Sequence, residues 1–431
     1  MIIYERIKEE LALGKGLSLA IKDGFSNAYS AIIDGQITTL LTGLVLFAFG
    51  SGPVKGFATT LIVGIITSVL TSIFIPRLIF DRRVSKGKDI SFDTKMTRNF
   101  LKNTQVKFLE NRKWAYTLSA VLVVASIASI FTKGFTYGVD FTGGRTYVVR
   151  FDQPVLAEDV RNATLAVFNE AAAADESVKN ASVEVKQFGG DSQMKITTSY
   201  KYDQESTEVD NEIEAMLFEA LKGFFAQESI TLDEFTSTLD NPNGIISSDK
   251  VGATIANDIK RSAVVSVILA LIVIFAYIAV RFRKWTWGLG GVVSLAHTSI
   301  IVIGFFSFFS GILPFTLDVD STFIAAILTI IGYAINDNVV IFDRIREMIA
   351  LHPKMKFSEV VNAALNATLS RTMNTSLTTL VTMLSIAIFG GETIRGLAVA
   401  LILGIVIGTY ASIFIGTTIM YDVTLASQKK K

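Results

Sequence analysis

The 431-residue chain contains no cysteine and only two histidines, His297 and His352. The first absence excludes disulfides and thiolate chemistry, and leaves the redox compartment undetermined. The second rules out a histidine-rich metal centre. Charge is also scarce: 18% of residues are Asp, Glu, Lys or Arg, and the net charge is +1. No global basic field is available to hold a nucleic acid. No HExxH, GxSxG or Walker sequence and no catalytic carboxylate pair stands out, so an enzyme is the least supported class. The opening MIIYERIKEEL lacks the charged lead, apolar core and cleavage site of a signal peptide.

What the chain has in abundance is apolar surface. Half of its residues are hydrophobic. Eight stretches approach the roughly 20 apolar residues that cross a bilayer, at 31–49, 57–80, 114–131, 262–280, 287–309, 321–342, 372–389 and 396–420. The expected fold class is therefore a polytopic α-helical membrane protein. Basic residues set its orientation. Segment 77–113 holds 11 Lys and Arg residues, and RFRK (281–284), the 343–371 loop and the KKK tail fall on the same side if the spans alternate. That side reads as cytoplasmic, with both termini. The insert at 140–250 has 21 acids against 9 bases and reads as periplasmic.

The insert reads as a folded α+β module. Strands are expected at 145–151, 180–188 and 193–199, helices at 155–173 and 208–227, and a short closing strand near 230–239. The order β-α-β-β-α-β is ferredoxin-like. Contact-making fits this module better than catalysis, because no nucleophile–base pair or ligand-spaced cluster stands out in it.

The chain also repeats itself. IIYERIKEE (2–10) aligns with VIFDRIREM (340–348) at an offset of 338. ITTLLTGLVLFAFG (37–50) aligns with LTTLVTMLSIAIFG (377–390) at 340, and VKGFATTLIVGIITSVLTSIF (54–74) with IRGLAVALILGIVIGTYASIF (394–414) at the same offset. Shared Thr, Gly and Arg punctuation separates this from chance apolar likeness. Copies of one orientation imply an axis along the membrane normal and a working site between the halves. Gly404 with Gly408, and Gly64 with Ser68, offer small faces for close helix approach. The second copy has spans at 262–280, 287–309 and 321–342 before its DRIRE; the first begins at Met1, opposite Val339. The expectation is a protein whose front half is largely missing.

GVDFTGGRTYVVRF (138–151), IGYAINDNVVIFDRIRE (331–347) and SRTMNTSLTTL (370–380) resemble SecF motifs. IYERIKEEL, DGQITTLL and FGSGPVKGFATTLIVGI resemble the C-terminal end of SecD. The likeness covers nearly the whole chain and implies a fused SecD–SecF protein of the resistance-nodulation-division superfamily. Its parts would be a truncated SecD-like repeat at 1–80, a basic linker at 81–113, a first SecF-like helix at 114–139, the periplasmic domain at 140–250, SecF-like helices 2–6 at 251–423 and a tail at 424–431. The resemblance implies a Sec translocase accessory subunit that draws exported preproteins across the inner membrane with protons as the coupling ion and no other cofactor. Implied partners are the SecY-E-G channel, the SecA ATPase and a YajC-like accessory protein. It also assigns proton transport to Asp337 and Arg371. Where the family often has His-Asp, this chain has His297-Thr298.

Physically, Asp337 is expected about five residues, or roughly 8 Å, inside its span. A carboxylate there is a working group or a plug that locks helices. Arg371 is its partner or a snorkelling cation. Asn336, Asn338 and Asn374, with Thr375 and Ser376, are expected to supply a polar layer, so that Arg371 pairs with an ionised Asp337 or, once the acid is neutral, re-pairs elsewhere. His297 is expected to be packed and hydrogen-bonded, and Asp343, Arg344, Arg346 and Glu347 to form i,i+3 pairs. Another proton-driven exporter of the superfamily and a non-transporting scaffold remain alternatives.

Overall fold

The structure is a computed structural model that describes all residues except 1, 51–52, 89, 93–100, 102–103, 176–177, 179–181, 189, 205, 227–229, 238–242, 314, 316, 391 and 430–431. Parts of the basic linker and of the KKK tail thus lie outside the described residues.

Eight long apolar segments form the bundle: α2 (Leu17–Phe49), α3 (Pro53–Ser85), α4 (Arg112–Thr132), α9 (Ala253–Arg281), α10 (Trp285–Phe309), α11 (Ser321–Leu351), α12 (Phe357–Phe389) and a last one. This last segment is α13 (Glu392–Ala411), a π-helical turn (Ser412–Gly416) and α14 (Thr417–Lys429). Several helices outrun their expected spans: α2 and α12 have 33 residues each, about 50 Å at 1.5 Å per residue. The added turns are amphipathic and find partners. In α2, Ala20, Ile21, Phe25 and Ala28 bury against Ile3 and Ile7 of the short helix α1 (Ile2–Ala12). In α12, Val360, Val361, Ala364 and Leu365 join the main core.

The internal repeat is visible in the helices. α2 lies 340 residues before α12, with the same length and the same ending: Gly50 and Gly390 are extended caps whose N–H groups donate to Leu46 O at 2.7 Å and Ile386 O at 2.8 Å. Gly404 and Gly408 do pack closely, against Ile330 and Ala334 of α11. Gly64, the repeat counterpart of Gly404, meets no atom within 4 Å. The two copies also clasp each other at the end opposite the sheet domain. Arg6 pairs with Glu347 at 2.7 Å, and Arg344 with Glu9 at 3.3 Å. Arg6 and Glu9 lie 338 residues before Arg344 and Glu347, so the two pairs are one contact made reciprocally.

Between α4 and α9 stands the α+β domain. A short turn α5 (Val139–Thr142) leads to β1 (Gly144–Arg150), α6 (Ala157–Ala174), β2 (Val183–Gln187), β3 (Gln193–Thr198), α7 (Thr207–Leu221), α8 (Leu232–Thr236) and β4 (Gly244–Val251). The sheet is antiparallel with order β2-β3-β1-β4, the ferredoxin-like arrangement. Alternating Tyr147, Val149, Val185, Met194 and Ile196 pack under Phe168, Ile213 and Leu217 of its helices. The closing strand is not near 230–239. Thr231 and Glu234 make a capping box there, which starts helix α8, and Gly244–Val251 completes the sheet.

The domain is stitched to the bundle through the segment before α11. Val319 N–H donates to Thr136 O at 2.8 Å, Gly138 N–H to Val319 O at 3.1 Å, and Ser321 N–H to the Asp140 carboxylate at 3.0 Å. Asp320 caps α11 by accepting from Phe323 N–H at 2.7 Å. Over this stitch, Lys186 of edge strand β2 contacts Glu184 and lies 3.9 Å from Asp320. Asp318 faces Glu184 within hydrogen-bonding reach.

Candidate functional site

The centre of the bundle is α11, the most deeply buried of the long helices. Its apolar faces pack against α2, α10, α12 and α13, and only a few polar side chains enter this environment. Asp337 is 3% exposed and Arg371, one helix away on α12, is 6% exposed. The two charges act on each other electrostatically, but among the described residues no ion pair joins them. Asp337 Oδ2, Arg371 Nε and Nη1, and the neighbouring Thr372 hydroxyl have no hydrogen-bond partner there. Each buried polar group left so costs about 1–3 kcal/mol, and more when charged.

The asparagines do not form the expected layer around the pair. Three successive residues of α11 point about 100° apart, so each meets a different element. Asn336 projects toward Gly35 of α2, where its Oδ1 fills the space a Cβ would take. Asn338 Nδ2 donates to Ser294 Oγ of α10 at 3.3 Å and to Ala334 O at 3.2 Å, and its Oδ1 lies against Gly416 in the π-helical turn. Asn374 is half-buried on α12. Tyr333 lies in the field of both charges and donates to Thr379 Oγ1 at 3.3 Å, and Ser376, one of the expected hydroxyls, bonds Thr409 Oγ1 at 2.6 Å.

His297 is packed as expected but lacks a hydrogen bond. Both ring nitrogens are unpartnered among the described residues, and the ring lies 6.1 Å from that of Tyr410. Thr298 donates to Ser294 O at 3.0 Å. The DRIRE residues form two intrahelical pairs, Arg346 with Asp343 and Arg344 with Glu347 at 3.0 Å, and the second takes part in the inter-copy clasp.

A second intramembrane carboxylate escaped the sequence reading. Asp34 of α2 accepts from Arg281 Nε at 2.8 Å and from Tyr277 O–H at 3.2 Å, and Arg281 also contacts its other oxygen and donates to Ser30 Oγ at 2.9 Å. Every oxygen of this acid is engaged. The signal was present in DGQITTLL and RFRK: an acid inside one span and a cation at the end of another. Asp34 is also the repeat counterpart of Asn374, 340 residues on.

The bundle thus holds two acid–arginine combinations of opposite kind, each with a buried acid, but with Arg371 buried and Arg281 part-exposed. Asp34–Arg281 is fully satisfied and ties α2 to α9. Asp337–Arg371 is not satisfied and lies on the most buried helix.

Comparison with known proteins agrees with this architecture. The family described as "Protein export membrane protein SecD/SecF, C-terminal" matches residues 1–83 and 231–426. The chain belongs to the SecD/SecF family. The "SecD/SecF GG Motif" matches residues 128–155, and its glycine pair has a physical reason here: Gly143 and Gly144 have φ of +77° and +149°, which glycine alone adopts freely. Among SecD/SecF relatives, the protein translocase subunit SecF of Rhodothermus marinus is 38% identical over 320 residues, 74% of this chain and 94% of that protein. The protein translocase subunit SecDF of Thermus thermophilus is 32% identical over 425 residues, 96% of this chain and 51% of that one. The crystal structure of SecDF from Thermus thermophilus, described as a translocon-associated membrane protein, matches all of this chain and 52% of its own, with a TM-score of 0.75 at 30% identity. The chain spans about half the length of these SecDF relatives and nearly the full length of SecF.

Proposed function

We propose that the chain acts in the inner membrane as an accessory subunit of the Sec preprotein translocase and couples proton flow to the movement of exported proteins. The observation that carries this reading is the contrast between the two acid–arginine combinations: the one at the bundle's margin is paired, and the one buried on both sides is not. A plug is expected to be fully paired, as Asp34–Arg281 is. Asp337 and Arg371 pay for burial without pairing, which suits groups that change partner during a cycle.

In this reading the sheet domain is periplasmic, both termini are cytoplasmic, and a proton from the periplasm neutralises Asp337. Loss of the negative charge frees Arg371 and favours one packing of α11 against α12; release of the proton restores the other. The proton is the ligand, and it shifts the equilibrium by its differential affinity for the two states. One charge crossing 100 mV supplies about 2.3 kcal/mol, so a large movement of the periplasmic domain takes more than one proton. The SecD/SecF names of its relatives, one of them translocon-associated, support SecY-E-G, SecA and a YajC-like protein as partners, and unfolded preproteins as substrate.

The test is export into vesicles carrying SecY-E-G, SecA and this protein, with and without a proton gradient. Asp337→Asn is expected to remove the gradient-stimulated part and leave the ATP-driven part. Normal stimulation in this variant would overturn the carrier role. A contribution to export that survives collapse of the gradient would instead make the protein a scaffold.

A further inference from the structure

Arg371 faces a second acid. Between α1, α2, α11 and α12 lies a cavity of about 50 Å³, lined by Glu5, Arg6 and Glu9 of α1, by Asp343 and Arg344 of α11 and by Arg371 of α12. It has room for a water molecule. Four of these charges are engaged: Arg6, Glu9 and Arg344 in the clasp with Glu347, and Asp343 with Arg346. Glu5 and Arg371 are not. Among the described residues neither side chain makes a hydrogen bond or an ion pair, although each lies in the field of the other. An unpaired acid and an unpaired cation therefore share one cavity.

The surroundings of Glu5 suit a group that gains and loses a proton. Burial pushes its carboxyl up, the Arg371 charge pulls it down, Glu9 raises it and Lys8 lowers it, with a net shift upward. Ala31, the counterpart of Arg371 340 residues earlier, lines the same cavity.

We propose that Glu5 is the release-side carboxylate of the proton path, and that Arg371 alternates between Asp337 and Glu5. This rests on the carrier reading above. The transfer is a proton exchange between acids: the Asp337 O–H bond breaks, the proton passes Arg371 into the cavity, which Arg371 lines and Asp337 does not, and an O–H bond forms on Glu5. Arg371 stays protonated throughout and swings to the newly ionised Asp337. Glu5 then gives its proton to the cytoplasm and returns to the carboxylate.

The experiment is proton flux through the full chain in liposomes, read with a pH-sensitive dye as the release-side pH is varied. Glu5→Gln is expected to slow flux about a hundredfold, the scale of losing a positioned proton acceptor, and to abolish its dependence on release-side pH. Glu5→Asp is expected to retain flux with a shifted profile. Wild-type flux and profile in Glu5→Gln, with Asp337→Asn inactive, would overturn the role of Glu5 and leave the carrier reading intact. Flux that survives Asp337→Asn, or its absence from the wild type, would overturn the carrier reading itself. Should Glu5→Gln fail to fold, an unshifted profile in Glu5→Asp overturns the proposal.

Discussion

Asp34 and Asp337 are the same side chain in the same bundle, and what separates them is the number of bonds each oxygen makes. That difference is testable as stability. Arg281→Met leaves the buried Asp34 without its cation, and because Arg281 is part-exposed the cost is expected between the surface and buried limits, about 1–2 kcal/mol. Arg281→Met combined with Asp34→Asn should recover more than half of that loss. Asp337→Asn is expected to cost less than Arg281→Met, because no ion pair is broken. Thermal unfolding in detergent of the three variants and the wild type decides this. At this scale the sequence revealed that a carboxylate entered the membrane at Asp337 and that Arg371 was near it. It could not reveal that Asn336 and Asn338 turn to α2 and α10, since this depends on which helix packs on which face of α11. Asp34 lies inside a span as Asp337 does, but its partner Arg281 is 247 residues away in sequence, and no local pattern joins the two.

At the scale of elements, equivalent positions of the repeat differ in what they touch. A Cβ on Gly404 would run into Ile330, whereas one on Gly64 would meet open space. Gly404→Leu is therefore expected to destabilise the bundle by about 1–3 kcal/mol, and Gly64→Leu to change it by less than about 0.5 kcal/mol; paired melting curves measure both. The eight spans were legible because apolar length announces them. Their ends were not. Where α2 and α12 leave the apolar region, helix continues because amphipathic turns find Ile3 and Ile7 or the main core, and such partners have no local signature. The closing strand was misplaced for a similar reason: TLDEF carries a capping box, a helix signal that competed with a short apolar run. The reciprocal clasp is expected to show in a double-mutant cycle. Arg6→Ala with Glu347→Ala should give a coupling of about 1 kcal/mol that shrinks in high salt.

At the scale of the molecule, the sheet domain is held on the bundle by groups that titrate. Burial, reinforced by the Glu184 charge, pushes the Asp318 carboxyl up to about 8, with Lys186 opposing and Asp320 adding to the rise. Glu184 is lowered despite burial because Lys186, Asp318 and Lys195 favour its charged form. Burial likewise raises Asp320, with Lys186 and the Phe323 N–H opposing and Glu184 and Asp140 adding to the rise. An acid whose pKa is higher in the docked state binds more protons there, so docking weakens as pH rises. The Asp318 contribution is full below about pH 4, its ordinary range, and is lost as pH rises through about 8. Glu184 works in the opposite sense, but only below its ordinary range. Spin labels on introduced cysteines, one on β4 and one on α10, are expected to separate between pH 5 and about 8.5, and Asp318→Asn should flatten that change. The absence of native cysteine makes the labelling clean. An unchanged distance across that range would remove Asp318 from the docking.

The clasp of Arg6 with Glu347 and of Arg344 with Glu9 is what an isologous interface looks like when its two halves are written into one chain. A homodimer must repeat every substitution on both sides of its axis. A duplicated chain is free of that rule, and this one departs from it near the axis, with Arg371 against Ala31 and Asp34 against Asn374. Two identical halves would offer a proton two identical seats and no reason to leave one for the other. One arginine facing one alanine gives the axis a front and a back, and direction requires that difference.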